Sequence, residues 1–497
     1  MIKTRFAPSP TGLLHIGGLR TALFSYLIAK KNSGKFILRI EDTDQERFVE
    51  GGIENIIRSL KWAGIDVDEG VDIEGKGERG KGKEGVIVQK GENGPYIQSE
   101  RLDIYQKHIQ KLLDGGHAYY CFCSKERLEE LRKAQEVNKQ PTLYDGHCRN
   151  LTAEELQKKL AEKQTYVVRM KMPKEGTVKF VDLIRCEVEF KNELIDDQVL
   201  LKSDGFPTYH LAHIVDDHLM GITHVIRGEE WLPSVPKHLK LYEMFGWELP
   251  QFAHIPLLVN EQKQKLSKRH GDVSVEDFIN KGYLPEAMVN FIAFLGWNPG
   301  GDREIFSLKE LEKEFSLEKV GKSAAVFNRE KLDWYNAQYI RKMSLKELTE
   351  RCLSFFGERG KRKEEREWLE NVVALEKERA NTLVELVDEV RFVFAEKLEY
   401  EPELLVWKKS TAADAKEKLG ETREILEKID ANEWGRETIE KIVMDWIKGK
   451  GYNNGDVLWP MRVALSGKKN SPGPFEIAEV LGKEKTIGLI QKAAEKL

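Results

Sequence analysis

The sequence predicts a doubly wound α/β sheet in its N-terminal part, a smaller α+β segment inserted into that sheet, and an all-α C-terminal part. Three observations carry this. A short apolar strand, a glycine-containing loop, a helix and a second apolar strand follow one another within the first 44 residues. The α/β pattern returns at Thr208. After about Met343 the chain is mostly charged amphipathic helix. Strand, loop, helix, strand is how a Rossmann-like sheet begins, and such sheets bind ligands at the carboxyl ends of their strands.

Lys3 to Ala7 reads as a buried strand closed by the Pro8–Gly12 loop. Leu19, Leu23, Tyr26 and Leu27 then share one helical face. The helix should stop near Asn32-Ser33-Gly34, where glycine can cap it. Phe36 to Ile40 is the second strand and ends at Glu41-Asp42-Thr43-Asp44, which puts Arg5 to Ser9 and Glu41 at strand ends. Asp68 to Glu92 has 7 glycines, 12 charged residues and no aromatic, so it reads as a mobile surface insertion. From about Ser99 the pattern turns helical, then crosses a cysteine-bearing stretch and several short strands, as an inserted domain would. Thr223–Arg227 and His254–Val259 read as later strands, and Leu375–Lys397 as one of the C-terminal helices.

At 497 residues the chain should form several domains. Hydrophobic residues at 40% and charged residues at 33% fit a globular protein, and a net charge of −4 announces no nucleic-acid partner. A local basic face remains compatible with that balance, because local fields guide binding. Met1-Ile2-Lys3-Thr4-Arg5 leads straight into a motif and not into a signal peptide, and no apolar run approaches the roughly 20 residues of a membrane span. Five cysteines in so long a chain do not make a disulfide scaffold, so a reducing, cytoplasmic setting is expected.

Two motifs carry the chemistry. In Pro8-Ser9-Pro10-Thr11-Gly12-Leu13-Leu14-His15-Ile16-Gly17-Gly18, His15 stands at the start of the first helix, where backbone N–H groups and the helix dipole favour phosphate. Gly17 and Gly18 would let a nucleotide approach the backbone. In Lys265-Leu266-Ser267-Lys268-Arg269, Lys265 and Lys268 are cations able to clamp a triphosphate, and Ser267 can bond a phosphate oxygen. Taken alone, the first motif also fits a structural turn and the second a solvated basic loop.

Taken together, these motifs resemble those of class I aminoacyl-tRNA synthetases, and specifically the bacterial-type glutamyl-tRNA synthetases. Phe6–Gly12 through Leu19-Arg20-Thr21-Ala22 is similar to that family's "HIGH" motif, and Lys265–Arg269 to its "KMSKS" motif. Arg39–Asp44, Pro207–Ala212, Arg227–Trp231 and Trp459–Gly467 also match, so the resemblance runs from end to end. It implies ATP-dependent joining of L-glutamate to tRNA-Glu through a glutamyl-adenylate, with release of AMP and pyrophosphate. His15, Lys265 and Lys268 would stabilise charge on the reacting phosphates, with Pro8, Gly17, Gly18, Glu230 and Ser267 completing the ATP site. Mg²⁺ is expected with ATP, held mainly by phosphates and water. The implied organisation is 1–107 as the first half of the catalytic domain (with 68–92 as the insertion) and 108–207 as an inserted domain for the tRNA acceptor end. It continues with 208–257 as the second half, 258–343 as a stem-contact region and 344–497 as a helical anticodon-binding region. The chain is expected to act as a monomer.

Glutamate carries two carboxylates and an ammonium. Arginine suits planar, bidentate carboxylate binding, and Arg5 and Arg227 fall at predicted strand ends. Glu41 can pair with the ammonium, and Tyr209 and Ser9 can add hydrogen bonds. The resemblance places these five, with Ala7 beside them, in the family's glutamate pocket. His213 follows Tyr209 by four residues, where some relatives carry asparagine. An Arg5–Glu41 ion pair is the purely structural alternative. An amide ligand would leave a pocket arginine without its ionic partner, a physical reason to favour glutamate over glutamine.

Cys121 and Cys123, with Cys148 after 24 intervening residues, can give three thiolates to a structural zinc ion. Tyr144 and His147 are both near as a fourth ligand. The resemblance points to Tyr144; the histidine that some relatives place two residues after the third cysteine is here Asn150. Cys186 and Cys352 read as buried small apolar residues. In the C-terminal half, Lys448, Lys450, Lys468 and Lys469 are either an RNA-facing surface or solvated helix faces, and Trp407 and Trp459 are either stacking platforms or core. A glutaminyl relative would read Glu-Pro-Asn-Gly where Ser9-Pro10-Thr11-Gly12 stands. A non-catalytic RNA-binding relative should lack His15, Lys268 or the pocket arginines, and all are present.

Overall fold

The computed structural model describes residues 1–75, 85–266, 273–362 (the side chain of 361 apart) and 365–497. Ser267, Lys268 and Arg269 of the second motif and the centre of the 68–92 segment lie outside the described residues. The chain divides into two compact units, Met1–Phe278 with Pro285–Arg329, and Ile279–Leu284 with Glu330–Leu497.

The first unit holds strands β1 (Lys3–Phe6), β2 (Lys35–Leu38), β3 (Glu69–Glu74), β4 (Val86–Lys90), β5 (Ala118–Cys121), β6 (Val167–Met170), β7 (Thr177–Asp182), β8 (Cys186–Lys191), β9 (Val199–Leu201), β10 (His224–Gly228) and β11 (Gln251–Ile255). Its first helices are α1 (Ile16–Lys31), α2 (Gly52–Trp62), α3 (Leu102–Asp114), α4 (Lys125–Val137), α5 (Ala153–Ala161), α6 (Tyr209–Leu219) and α7 (Val235–Phe245). Eight strands form one sheet in the order β4-β3-β2-β1-β10-β11-β7-β8. The six inner strands, β3 to β7 in that order, are parallel, and an antiparallel hairpin closes each edge. From β1 the chain moves to β2 on one side, and from β10 to β11 on the other. That reversal opens a crevice between β1 and β10 at their carboxyl ends.

Helix α1 is buried on nearly all sides, not only along the Leu19–Leu27 face, because it packs on β1 and β2 and against the helix Leu308–Glu314. It ends at Lys31, but the left-handed residue is Ser33 at φ 52°. Gly34 has a different reason: a Cβ there would stand 2.1 Å from the Ile2 carbonyl oxygen.

Four expectations change. The ends of the 68–92 segment are not irregular, because β3 and β4 pair as a hairpin on the sheet edge. Val71 is buried, Glu69 accepts from Lys35 Nζ at 2.6 Å, and Gly70 at φ 124° lets the chain lie close against Leu38. Val86-Ile87-Val88 supply the strand formers that the charge count hid. The region 108–207 is not one continuous insertion: β5-β6-β9 form their own antiparallel sheet, while the β7–β8 hairpin returns to the main sheet beside β11. Val178, Phe180 and Asp182 give β7 a buried face, with the Phe180 and Phe252 rings 6.1 Å apart. His254–Val259 is two strands. β11 stops at Ile255, Pro256 interrupts, and β12 (Leu258–Val259) pairs with β13 (Ala325–Val326). Cys186 is exposed at φ 67° at the start of β8, whereas Cys352 is buried as expected.

The second unit is all helix, and its contact boundary falls at 329/330 and not at 343/344. Leu375–Lys397 is not one helix. Thr382 caps a new start by accepting the Glu385 N–H at 3.1 Å, giving a helix Leu383–Glu389 and a 3₁₀ turn Arg391–Phe394. Leu419, Leu426, Ile439, Val443, Ile447, Met461 and Ile477 form the core of the long helices. Trp407 and Trp459 pack on each other with centroids 4.5 Å apart, and Trp459 Nε1 donates to Leu404 O at 2.7 Å. Lys450 and Lys468 are engaged by Glu421 and Glu389. Among the described residues no helix is long and apolar enough to cross a membrane.

Candidate active site

The crevice floor is a layer of buried charge. Arg5, on β1, donates through Nε to Asp217 at 3.1 Å. Arg39, just past β2, donates to Asp217 at 2.8 Å and to Glu41 at 3.0 Å. Asp216 accepts from Arg101 Nε, Gln98 and Tyr105. Asp216 and Asp217 are adjacent on α6, so one helical turn presents two carboxylates to three arginines. Burial pushes Glu41 up to about 7 against the opposing pull of Arg39 and Arg5. Burial also opposes Asp217 ionisation, but Arg5 and Arg39 win and hold it well below the usual carboxylate range. The Arg5–Glu41 pair considered from sequence is replaced by Arg39–Glu41 and Arg5–Asp217.

Arg227, at the end of β10, is treated differently. Its side chain is buried, yet among the described residues no carboxylate pairs with it; four neutral acceptors surround it. Nε donates to His254 Nε2 at 3.1 Å, Nη1 to Tyr209 Oη at 3.0 Å and His213 Nε2 at 3.4 Å, and Nη2 to His238 Nδ1 at 3.2 Å. Burial lowers His213 and His238 well below the ordinary histidine value and His210 to about 3, so these rings are neutral. Their tautomers interlock: His213 Nδ1–H meets Tyr209 O at 3.2 Å, and His238 Nε2–H meets His210 Nδ1 at 3.0 Å. Tyr209, half-buried, lies between His213 (4.5 Å) and Trp231 (4.3 Å). Because its oxygen accepts from Arg227, its proton is available to another acceptor.

His15 caps α1 through Nδ1, which accepts the Gly17 N–H at 2.9 Å. A neutral ring then carries its proton on Nε2. A Cβ on Gly17 would meet His15 Nδ1 at 3.2 Å, and one on Gly18 would meet Leu14 Cδ1 at 2.9 Å, so both glycines also have internal reasons. The chain on both sides of the second motif is pinned here. Leu266 N bonds Leu258 O at 3.0 Å, Ile16 N bonds Val273 O at 2.9 Å, and Val275 N bonds Leu14 O at 2.8 Å. The described residues on either side of 267–272 thus lie on the face that carries the first motif. Lys265 is exposed on it, and Ser9 is exposed beside half-buried Ala7 and Pro8. Glu230 folds over Gly228, and Arg20, buried beneath, is lowered to about 10 by burial against the pull of Glu230 and Glu229.

The cysteines converge separately: Cys121 ends β5, Cys123 lies between β5 and α4, and Cys148 lies in the loop after α4. The Sγ atoms of Cys121, Cys123 and Cys148 lie within 4.8 Å of one another. Cys123 and Cys148 are 3.6 Å apart, and Tyr144 Oη is 3.4 Å from both Cys121 and Cys123. Thiolates bound at about 2.3 Å around a tetrahedral ion stand at such separations, so the donor set fits zinc. His147 is exposed and its N–H bonds Asp145.

The family model described as "tRNA synthetases class I (E and Q), catalytic domain" matches residues 1–334, and one described as "Anticodon binding domain" matches 347–494. The chain belongs to the class I tRNA synthetases (E and Q). This synthetase is 46% identical to the glutamate--tRNA ligase of Alkaliphilus metalliredigens, covering 100% of this chain and 99% of that one. It is 47% identical to that of Clostridioides difficile over 98% of each. Two solved structures are similar at 37% identity and 99% coverage of both chains. One is a glutamate tRNA ligase from Elizabethkingia meningosepticum in complex with its amino acid (TM-score 0.82), the other the glutamate-tRNA synthetase of Elizabethkingia anophelis (TM-score 0.83).

In this synthetase Arg5, Glu41, Tyr209 and Arg227 stand together at the crevice. Sequence reasoning missed Asp182, Asp216, Asp217, His238 and His254. Asp216-Asp217 carried a signal, since two adjacent acids in an otherwise apolar helical stretch call for buried partners.

Proposed function

We propose that this chain joins L-glutamate to tRNA-Glu at the expense of ATP, with the amino acid seated in the β1–β10 crevice. The observation that supports this seat is Arg227, a buried guanidinium that among the described residues is held by neutral acceptors. A buried cation without a counter-charge is costly, and an incoming carboxylate would supply it. On this reading the side-chain carboxylate of glutamate meets Arg227 and Tyr209, Arg5 and Ser9 hold the remaining acceptor groups, and Glu41 takes the ammonium. Ala7 lines the floor. A glutamine amide in the same place would leave Arg227 without its partner.

ATP would lie over the first motif. Pro8, Gly17, Gly18 and Glu230 border it, His15 Nε2–H donates to a phosphate oxygen, and Lys265, Ser267 and Lys268 approach from the second motif. The α-carboxylate of glutamate attacks the α-phosphorus and pyrophosphate leaves; a terminal ribose hydroxyl of tRNA then attacks the acyl carbonyl and AMP leaves. Both steps need positioning and charge stabilisation and no protein nucleophile. Mg²⁺ would accompany the phosphates. Cys121, Cys123, Tyr144 and Cys148 would hold one zinc ion, whose contribution is structural cross-linking of the small sheet. The test is transfer of labelled glutamate to separate tRNA-Glu and tRNA-Gln transcripts. Charging of the first alone means a discriminating enzyme, charging of both a relaxed one, and charging of neither overturns the proposal.

A further inference from the structure

Arg227, His254 and Asp182 stand at the ends of three neighbouring parallel strands. Arg227 and His254 are direct register partners on β10 and β11, and β7 carries Asp182 against β11. His254 Nδ1 lies 2.6 Å from Asp182 Oδ2, and His254 Nε2 accepts from Arg227 Nε at 3.1 Å. Asp182 also accepts the backbone N–H groups of Ile184 at 2.9 Å, Arg185 at 2.8 Å and His254 at 3.1 Å. All three side chains are buried. So many donors keep the aspartate ionised, yet one imidazole separates it from the arginine.

Resting on the pocket reading above, we propose that Asp182 and His254 are positioning residues that set the preference for a carboxylate over an amide ligand. Asp182 fixes the Nδ1–H tautomer of His254, so that Nε2 offers a lone pair to Arg227 Nε. That bond sets the plane of the guanidinium, with Nη1 toward Tyr209 and His213 and Nη2 toward His238. It does so without placing a carboxylate on Arg227, which would cancel the charge that recognises the ligand. Had Asp182 touched Arg227 directly, glutamate and glutamine would be nearly equivalent there. The hairpin bearing Asp182 comes from the stretch between the two halves of the sheet in sequence, yet β7 lies in the main sheet beside β11, so that stretch supplies a strand of the α/β core to the pocket.

Asp182→Asn is the sharp variant. Its amide can present N–H to His254 Nδ1, which favours the Nε2–H tautomer and turns an N–H toward that of Arg227. Glutamate KM in tRNA-Glu charging should rise by about 10-fold or more, with kcat changed much less, and inhibition by glutamine relative to glutamate should strengthen by a similar factor. His254→Gln can keep an acceptor for Arg227 but has no tautomer to set, so adding Asp182→Asn to it should change KM by less than about 2-fold. Imidazole ¹⁵N shifts should show Nδ1–H for His254 in the unsubstituted protein and Nε2–H in Asp182→Asn. Unchanged KM and unchanged glutamine competition in Asp182→Asn, while Arg227→Gln raises glutamate KM, would overturn this inference alone. An Arg227→Gln protein with unchanged KM would overturn the pocket reading and this inference with it.

Discussion

Arg5 donates through Nε to Asp217 at 3.1 Å, and both side chains are buried. The same carboxylate takes Arg39 at 2.8 Å, so one aspartate serves two buried guanidinium groups. Removing one charge from such a cluster leaves the others without compensation, which costs more than the pair itself contributes. Asp217→Asn should therefore destabilise the first unit by about 3–5 kcal/mol. Urea unfolding followed by tryptophan fluorescence measures this; a loss under about 1 kcal/mol would show that Glu41 and Asp216 can take over both arginines.

Glu41 sets a pH dependence. Its folded value of about 7 lies above the ordinary carboxyl value of 4.5, with burial as the main cause. The group therefore favours the folded state most at pH below 4.5, and that contribution is lost as pH rises through about 7. Ligand binding has the opposite sense, because an ammonium pairs with the ionised form. Glutamate affinity should rise with pH up to about 7 and level off above it, approaching tenfold per unit on the acid side. Calorimetric titration between about pH 5.5 and 8.5, roughly 1.5 units on either side of the carboxyl value, reads this directly. In Glu41→Gln the slope should flatten; the same slope in both proteins would assign it to another group.

The opening of the fold was legible because it is local. β1, α1 and β2 follow one another with short loops, and apolar runs with a helical face between them mark each one. The return of β7–β8 to the main sheet was not, since β7 is chosen by β11, which lies some seventy residues further on and supplies Phe252. The same distinction runs through the site. Arg5, Glu41 and Arg227 are marked by motifs at strand ends. His254 sits in a strand pattern where nothing local distinguishes a core histidine from one that aims an arginine. Its role follows from lateral register with Arg227, which periodicity along the chain cannot report. The second motif's Ser267 and Lys268 lie outside the described residues, while Leu266 and Val273 bond Leu258 and Ile16.

Gly34 and Gly246 separate two reasons for glycine. At Gly34 a Cβ would sit 2.1 Å from the Ile2 carbonyl oxygen, backbone that cannot step aside. At Gly246 nothing lies within 4 Å, but φ is 68° at the end of α7. Gly34→Ala should cost about 2–4 kcal/mol by forcing β1 and β2 apart, whereas Gly246→Ala should cost about 1 kcal/mol of backbone strain. Equal losses in chemical denaturation would mean that the Ile2–Gly34 contact relaxes without effort.

The cysteine cluster makes the last prediction. Cys121, Cys123 and Cys148 converge within 4.8 Å although 24 residues separate the second from the third. Tyr144 Oη accepts the Cys148 N–H at 2.9 Å, which holds the phenol oxygen over the same centre. Three sulfurs at such spacing would repel as thiolates without a cation among them, so metal binding and local folding should be one event. Purified protein should contain about one zinc per chain, as a single site with this donor set implies. A strong chelator should release it and expose the segment from β5 to β6 to proteolysis, leaving the main sheet intact. Cys148→Ser should reproduce the chelated state. Tyr144→Phe should weaken zinc binding by about 10-fold or more without abolishing it, because the three sulfurs remain. Metal content that is unchanged in Cys148→Ser would place any bound zinc elsewhere in the chain.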